Sequence, residues 1–295
     1  MEKIIVRVPA TSGNVGNGYS SIGLALHMYY TVIVEEETEK WRVNHAFGDS
    51  VPHDDKNLVV QTILKVNPKI MPHQLTVMSD VPLEKGLGSS TTAIAAGIKI
   101  ANKLENMNLS VNDQINIGSR MEGHPDNIAS AILGDITISH YEDGKTDVVK
   151  AHMPDEMQAL VFIRNEKITQ KKGMERFPKE IKFAQEVQTS SASNVFVAAL
   201  MQKDWDKAAH MVEADSLIRT GQGNDFKDFK VIQQTAHELG IYGTYISGVG
   251  SSIITLGDYD HLTTLQSKIE SNDQLDGKCR LIDLDRDGAT IRGED

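Results

Sequence analysis

The sequence predicts an α+β protein in two domains, and three observations carry that expectation. A chain of 295 residues with 40% hydrophobic content can bury one large core or two moderate ones. Strand-like and helix-like patterns follow one another in an order that fits an α+β architecture. A polar segment, Glu142 to Glu156, falls near the middle and closes a first domain. The expected domains are therefore 1–153 and 154–295.

In chain order, Ile4, Val6 and Val8 alternate with their neighbours and predict a strand that stops at Pro9. A glycine-rich segment, Ala10 to Gly23, then runs into Leu24-Ala25-Leu26 and a β-rich stretch from Tyr29 to Val34. It links two strands, and such a loop is a common place for ligand contacts, although it also fits a plain surface loop. Asn57 to Val66 reads as a short helix, and Gln74 to Met78 alternates as a strand. After Ser90 the residues Ala93, Ala95, Ala96, Ile98, Ile100 and Ala101 predict a central helix. Val111 to Met121 predicts a further helix, and another begins near Asp126. Gly134 to Tyr141 and Leu160 to Ile163 read as strands. Helical patterns follow at Ile181 to Val187, Ser193 to Met201 and Trp205 to Val212, with a mobile loop expected over Thr220 to Asp225. Gly243 to Leu256 makes two short β-rich runs around a glycine turn. A helix from His261 to Ile269 and a strand near Leu281 to Leu284 complete the reading.

Composition narrows the function classes. A formal net charge of -11 argues against nucleic-acid and anionic-membrane partners. The single cysteine, Cys279, excludes an internal disulfide and suits a reducing compartment. The opening residues lack the apolar run of a signal peptide. The most apolar helix is interrupted by Lys99 and Lys103, short of the roughly 20 residues of a membrane span. The expectation is a cytoplasmic protein.

Two stretches carry chemistry. In Pro82-Leu83-Glu84-Lys85-Gly86-Leu87-Gly88-Ser89-Ser90-Thr91-Thr92, two glycines let backbone approach a ligand and four hydroxyls stand at a helix start. The unpaired amides and dipole of that helix favour an anion such as a polyphosphate. The stretch is neither a Walker A loop nor a dinucleotide fingerprint, and alone it equally fits a Gly-Ser turn that caps a helix. The second stretch, Glu122-Gly123-His124-Pro125-Asp126-Asn127, sets two carboxylates around a turn. Asp126 is accounted for as an N-cap. Glu122 opposes the dipole at a helix end and is mildly unfavourable there unless a cation or donor sits near it; given polyphosphate nearby, Mg²⁺ is the natural candidate. His124 reads as a turn residue.

The three glycine-rich segments, Pro9 to Gly23, Pro82 to Thr92 and Gly243 to Leu256, resemble the three signature motifs of the GHMP small-molecule kinases. Within that superfamily the chain is most similar to the homoserine kinases, through Pro-Ala-Thr-Ser-Gly-Asn-Val-Gly, Pro-Leu-x-Lys-Gly-Leu-Gly-Ser-Ser, Glu-Gly-His-Pro-Asp-Asn-Ile-Ala, Ile-Ser-Gly-Val-Gly and the closing Asp285 to Ala289. The resemblance implies a two-domain GHMP kinase fold, with a βαβ-containing nucleotide domain first and a ferredoxin-like domain second. It implies ATP-dependent phosphorylation of the side-chain hydroxyl of L-homoserine in threonine biosynthesis, with ATP and Mg²⁺ bound and a homodimer. Pro82 to Thr92 would then bind the nucleotide, with Lys85 near the phosphates, Asn57 near the adenine, and Ser90 and Glu122 on Mg²⁺. Ser90, Glu122, Asp126 and Lys85 would form the catalytic set. Asn14, Ser20, Asp126, Thr169, Arg176 and Arg219 would line the substrate site, Asp126 pairing the ammonium group.

The chain departs from the family pattern on the substrate side. Gly18-Tyr19-Ser20 stands where Gly-Phe-Asp is usual, removing an acidic contact to the substrate ammonium that is worth about 1.5–3 kcal/mol. Met174 falls at a family Arg position, where Arg176 or a neighbouring lysine would have to substitute, and Arg219 matches a carboxylate-binding Arg with shifted spacing. Ser251 replaces a usual Pro. Two alternatives therefore stand beside homoserine phosphorylation: a GHMP kinase for another small alcohol, and a non-catalytic relative that binds a metabolite.

Overall fold

The computed structural model describes residues 3–165, 180–215 and 227–294. Its first sheet is organised on β2 (Ile22–Glu37), a 16-residue strand in which Leu24, Leu26, Met28, Tyr30, Val32 and Val34 are all buried. That period of two is what a strand with one face on a core requires. β1 (Lys3–Ser12) runs antiparallel along one edge of β2. The other edge is shared, Ile22–Leu24 pairing with β5 (Ile136–Glu142) and Tyr30–Glu37 with β4 (His73–Ser79). β3 (Arg42–Asn44) lies parallel to β4, and β6 (Lys145–Ala151) forms a hairpin with β5. β11 (Thr290–Glu294) returns from the far end of the chain to pair with β1 and completes seven strands. Of the helices α1 (Leu58–Val66), α2 (Ser89–Leu104), α3 (Val111–Glu122) and α4 (Asp126–Leu133), α2 packs on β1 and α4 on β2. α1 and α2 approach closely at Gly97, where a Cβ would stand 2.6 Å from Cβ of Thr62.

The second sheet has the order β10-β7-β9-β8, from β7 (Gln158–Arg164), β8 (Thr244–Ile246), β9 (Ile253–Gly257) and β10 (Gly277–Asp283), all antiparallel. Its strands alternate between two cores. Ala159, Val161, Tyr245, Ile254 and Leu256 join the large core that continues from the first sheet, with α5 (Phe183–Met201) and α6 (Trp205–Val212) contributing Phe196, Leu200 and Val212. Leu160, Phe162, Ile246 and Ile253 face a smaller core with Phe229 and Ile232 of α7 (Lys227–Glu238) and Leu262 and Leu265 of α8 (Tyr259–Glu270). The sheet is therefore covered on both faces, and the mixed architecture is α+β as expected. No described helix is long and apolar enough to cross a membrane.

Several boundaries differ from the sequence reading. β1 continues through Pro9 to Ser12. β11 pairs only as far as Arg7, and the β1–β2 register shifts between Pro9 and Ala10, so a residue without an N–H is tolerated there. The polar segment after Glu142 contains β6, whose hairpin with β5 was hidden by its exposed Lys145, Asp147 and Val149. The two helical patterns at 181–187 and 193–201 merge into α5. β3, α7 and β11 were not anticipated. The loop expected over Thr220 to Asp225 lies outside the described residues.

The motif Asp285 to Ala289 is a clamp on the first sheet. Asp135, fully buried, accepts from the N–H groups of Ile136 and Met153 and from Nη1 of Arg286 at 2.8 Å. Asp285 accepts from the Tyr29 hydroxyl at 2.7 Å and from the Gly288 N–H at 2.6 Å. Gly288 has no room for a side chain, because a Cβ would sit 2.3 Å from the carbonyl of Ile132. His152 Nδ1 also stands 2.9 Å from Oδ2 of Asp135, so removing Arg286 leaves the buried carboxylate its imidazole and backbone partners but strips its guanidinium. Arg286→Ala is expected to lower unfolding free energy by about 3 kcal/mol, read as a shifted urea midpoint; an unchanged midpoint would show that the clamp carries no stability.

Candidate active site

The stretch from Pro82 to Thr92 connects β4 to α2 and is held from two sides. The Thr11 N–H, near the end of β1, donates to the Leu87 carbonyl at 3.2 Å. From the second sheet, the Ser247 hydroxyl donates to the Gly86 carbonyl at 2.5 Å and the Ser252 N–H to the Lys85 carbonyl at 3.2 Å. Gly86 and Gly88 have φ of +72° and +68°, and Glu84 also has positive φ. A Cβ on Gly88 would lie 2.0 Å from Oγ1 of Thr11, and one on Gly86 2.5 Å from the Ser247 carbonyl. Glycine is therefore required twice over, by backbone angle and by space. Gly88 is also the N-cap of α2 and offers no side chain to the first helical amides. The amides of Ser89, Ser90 and Thr91 begin a 16-residue helix whose positive end favours an anion.

Glu122, the last residue of α3, meets that helix start. The Thr91 hydroxyl donates to its Oε1 at 2.7 Å, while Ser90 Oγ lies at 3.5 Å from the same oxygen. Oε2 of Glu122 is buried without a hydrogen-bond partner. Burial pushes its pKa up to about 7, against the lowering effects of His124 and the Thr91 hydroxyl. Among the described residues nothing bonds to Oε2, so one oxygen of this side chain is left open to a further partner. Thr91, rather than Ser90, holds it in place, a contact that sequence spacing alone could not assign.

Asp126 begins α4 but does not cap it. The N-cap is Pro125, and the carboxylate turns away from its own helix to accept from the Asn14 N–H at 3.2 Å through Oδ2 and to pair with Nδ1 of His124 at 2.7 Å through Oδ1. Gly13 lies so close that a Cβ there would stand 2.3 Å from Oδ2. His124 is accordingly more than a turn residue, and the hydrogen bond to Asp126 raises its pKa despite burial. Asn127 accepts from the Thr11 hydroxyl at 2.9 Å and ties α4 to β1. The hexapeptide signalled Asp126, but Asn14, which draws it off its own helix, lies 112 residues earlier.

The structure draws Asn14, Ser20, Ser90, Glu122, Asp126 and the Pro82 to Thr92 stretch into one linked set of loops. Asn14 Nδ2 donates to the Gly248 carbonyl at 3.1 Å, and its Oδ1 accepts from the Ser20 N–H at 2.8 Å. Lys85 is buried, and its ammonium donates to the carbonyls of Arg164 and Asn165 at 2.6 and 2.9 Å, at the end of β7. Asn57 is buried as the N-cap of α1, with its amide bonded to the Val59 N–H and the Pro52 carbonyl. Tyr19, beside Ser20, donates its hydroxyl to Asp215 at 2.5 Å, and burial and that carboxylate hold the phenol neutral. Thr169, Arg176 and Arg219 lie outside the described residues, as does Met174.

A family model for the GHMP kinases N terminal domain matches residues 57–135, the span from Asn57 through α4. A homoserine kinase of Lactiplantibacillus plantarum is 37% identical over 289 residues, covering 98% of this chain and 99% of that protein. A homoserine kinase of Bacillus cereus strain B4264 is 39% identical over 290 residues, covering 98% and 97%. Among solved structures, a Listeria monocytogenes protein provisionally named a homoserine kinase superposes with a TM-score of 0.89 at 32% identity over 99% of this chain and 100% of that one. The homoserine kinase of Cytophaga hutchinsonii, at 21% identity, shares the fold with a TM-score of 0.86 over 99% and 98%. With relatives of this identity along its whole length, and with the glycine-framed helix start set against Glu122, the chain belongs to the homoserine kinase family of GHMP kinases.

Proposed function

We infer that the chain transfers the γ-phosphoryl group of ATP to the side-chain hydroxyl of L-homoserine, giving O-phospho-L-homoserine for threonine biosynthesis. Identity of 37–39% over nearly the full length to homoserine kinases carries this reading. Phosphoryl transfer depends mainly on positioning and on neutralising charge, and the parts present suit that task. The uncapped start of α2 offers amides to the phosphates, and the glycines let the backbone approach them.

Glu122 and Ser90 are the residues proposed to hold Mg²⁺. The buried, unpartnered Oε2 of Glu122 supports this, and one carboxylate is enough for an ion that also takes phosphate oxygens. When bound, the cation neutralises charge on the transferring group. Thr91 keeps the Glu122 carboxylate turned toward the helix start. The position of the Lys85 ammonium supports anchoring of the loop to the end of β7 beside its family role near the phosphates. Asn57 is proposed near the adenine on the family pattern. Asn14 and the buried Asp126 are proposed to contact the acceptor, Asp126 through its ammonium group, with Ser20, Thr169, Arg176 and Arg219 completing that side.

The family likeness also supports a homodimer and a nucleotide unit over 1–153 followed by a ferredoxin-like unit over 154–295, with β11 crossing back to the first sheet. One cysteine in the chain supports a reducing, cytoplasmic setting. A second reading keeps the kinase and changes the acceptor to another small alcohol; Ser20, standing where the family has an acidic residue, favours it.

ADP release with Mg-ATP and a panel of L-homoserine, L-threonine, L-serine and mevalonate is expected to show turnover with homoserine alone. Turnover with a different alcohol would move the substrate. Glu122→Gln is expected to reduce kcat on the order of a hundredfold, and near-unchanged turnover would remove the metal role. The same variant tests the raised pKa. A folded-state pKa of about 7 against an ordinary carboxyl means that the metal-free wild type loses stability as pH rises from about 4.5 through 7. Metal-free Glu122→Gln is therefore expected to melt higher than wild type at pH 8 and close to it at pH 4.5. Equal melting temperatures at both pH values would contradict the burial of Glu122. Thr91→Val is expected to raise the Mg²⁺ concentration needed for half-maximal rate by about tenfold, and Thr91→Ser to restore it.

A further inference from the structure

The first glycine segment contains a side chain that the reading above does not use. Asn17 is buried, and neither Oδ1 nor Nδ2 of its amide has a hydrogen-bond partner. Only its backbone is engaged, its carbonyl accepting from the Ser193 hydroxyl of α5 at 3.0 Å. A wholly orphaned primary amide is rare in a folded interior, because each buried donor or acceptor left unmade opposes folding. Hydrophobic residues would fill that space without the penalty. The amide is accounted for if a ligand completes its bonds.

Its neighbours along the chain belong to the acceptor side proposed above. Three residues earlier, Asn14 gives its N–H to Asp126, and three residues later Ser20 stands where the family places an acidic contact to the substrate ammonium. Between them, Tyr19 is bonded to the buried Asp215, which brings a carboxylate against this segment from the C-terminal end of α6. Gly16 packs directly on α6, a Cβ there meeting Cα of Val212 at 2.8 Å. An amide offers one acceptor and two donors together. The matching ligand group carries donors and acceptors side by side, as the ammonium and carboxylate of an α-amino acid do.

We propose that the Asn17 carboxamide is a specificity-determining contact for the amino-acid head group of the acceptor, Oδ1 accepting from the ammonium and Nδ2 donating to the carboxylate. It takes up part of the task left by the missing acidic residue at position 20. The inference rests on the homoserine reading of the site.

The test compares wild type with Asn17→Leu and Asn17→Ser, measuring KM for L-homoserine, KM for ATP, melting temperature and turnover of 4-hydroxybutanoate, which lacks the ammonium group. Asn17→Leu is expected to raise the homoserine KM by about tenfold or more, to leave the ATP KM within about twofold, to narrow the preference for homoserine over 4-hydroxybutanoate, and to melt no lower than wild type. An unchanged homoserine KM overturns the proposal, as does a fall in melting temperature with both KM values shifted together, the mark of a purely structural residue. If the leucine variant does not fold, Asn17→Ser supplies the same readouts. Wild-type protein that neither turns over nor binds L-homoserine refutes the functional reading and this inference with it; normal wild-type turnover with insensitive variants refutes the inference alone.

Discussion

The site depends on one close approach of backbone to backbone. Gly86, in the loop before α2, lies under the glycine turn that joins β8 to β9, and a single added Cβ would collide with the carbonyls of Ser247 and Gly250. Around that contact, Ser247 Oγ donates to the Gly86 carbonyl and stands 2.8 Å from Ser12 Oγ, which accepts from the Tyr245 hydroxyl at 3.0 Å. All three hydroxyl-bearing residues are buried, so these bonds form where an unmade one is costly. The three glycine segments thus define each other's positions. None is a site alone.

From this contact the sheets and helices acquire their purpose. β1 delivers Thr11 and Ser12 to the loop, β4 ends where the loop begins, and β8 and β9 bring the third glycine turn down from the second sheet. The large core runs continuously beneath, from β2 through Ala159 and Val161 of β7 to Ile254 of β9, which keeps the two sheets in register across the site. With the framework rigid, α2 can leave its first turn without a side-chain cap and α3 can end in a carboxylate. Both features oppose the stability of an isolated helix. Both suit a bound polyphosphate and its cation.

The first glycine segment and its partners follow a different logic. Asp126 is drawn off its helix by Asn14 and His124, Tyr19 is bonded to Asp215, and Asn17 is buried with its amide unpaired. Polar groups brought together from segments this distant specify one geometry, because a shift of any one leaves another unsatisfied in a low-dielectric setting. Around Ser20 the neighbouring positions carry polarity of their own.

Local pattern determined much of this protein. The strands of β2 and β4, the helices α1 to α4, the turn at Gly243 to Leu256 and the glycine turn into a helix over Pro82 to Thr92 could be read from period, glycine spacing and charge, because those signals act within a few residues. Glu122 also stood out, since a carboxylate at a helix end is locally unfavourable. Tertiary structure decided what local pattern could not. β3 and β11 are strands because partners elsewhere pair with them, and β1 passes Pro9 because β11 stops at Arg7. Thr91 rather than Ser90 holds Glu122, Lys85 is bonded to the end of β7, and Asp126 serves Asn14 rather than its own helix. Each of these is set by a contact across more than 30 residues of chain. Hydrogen bonds and burial act through space, and only the folded chain puts those partners within reach.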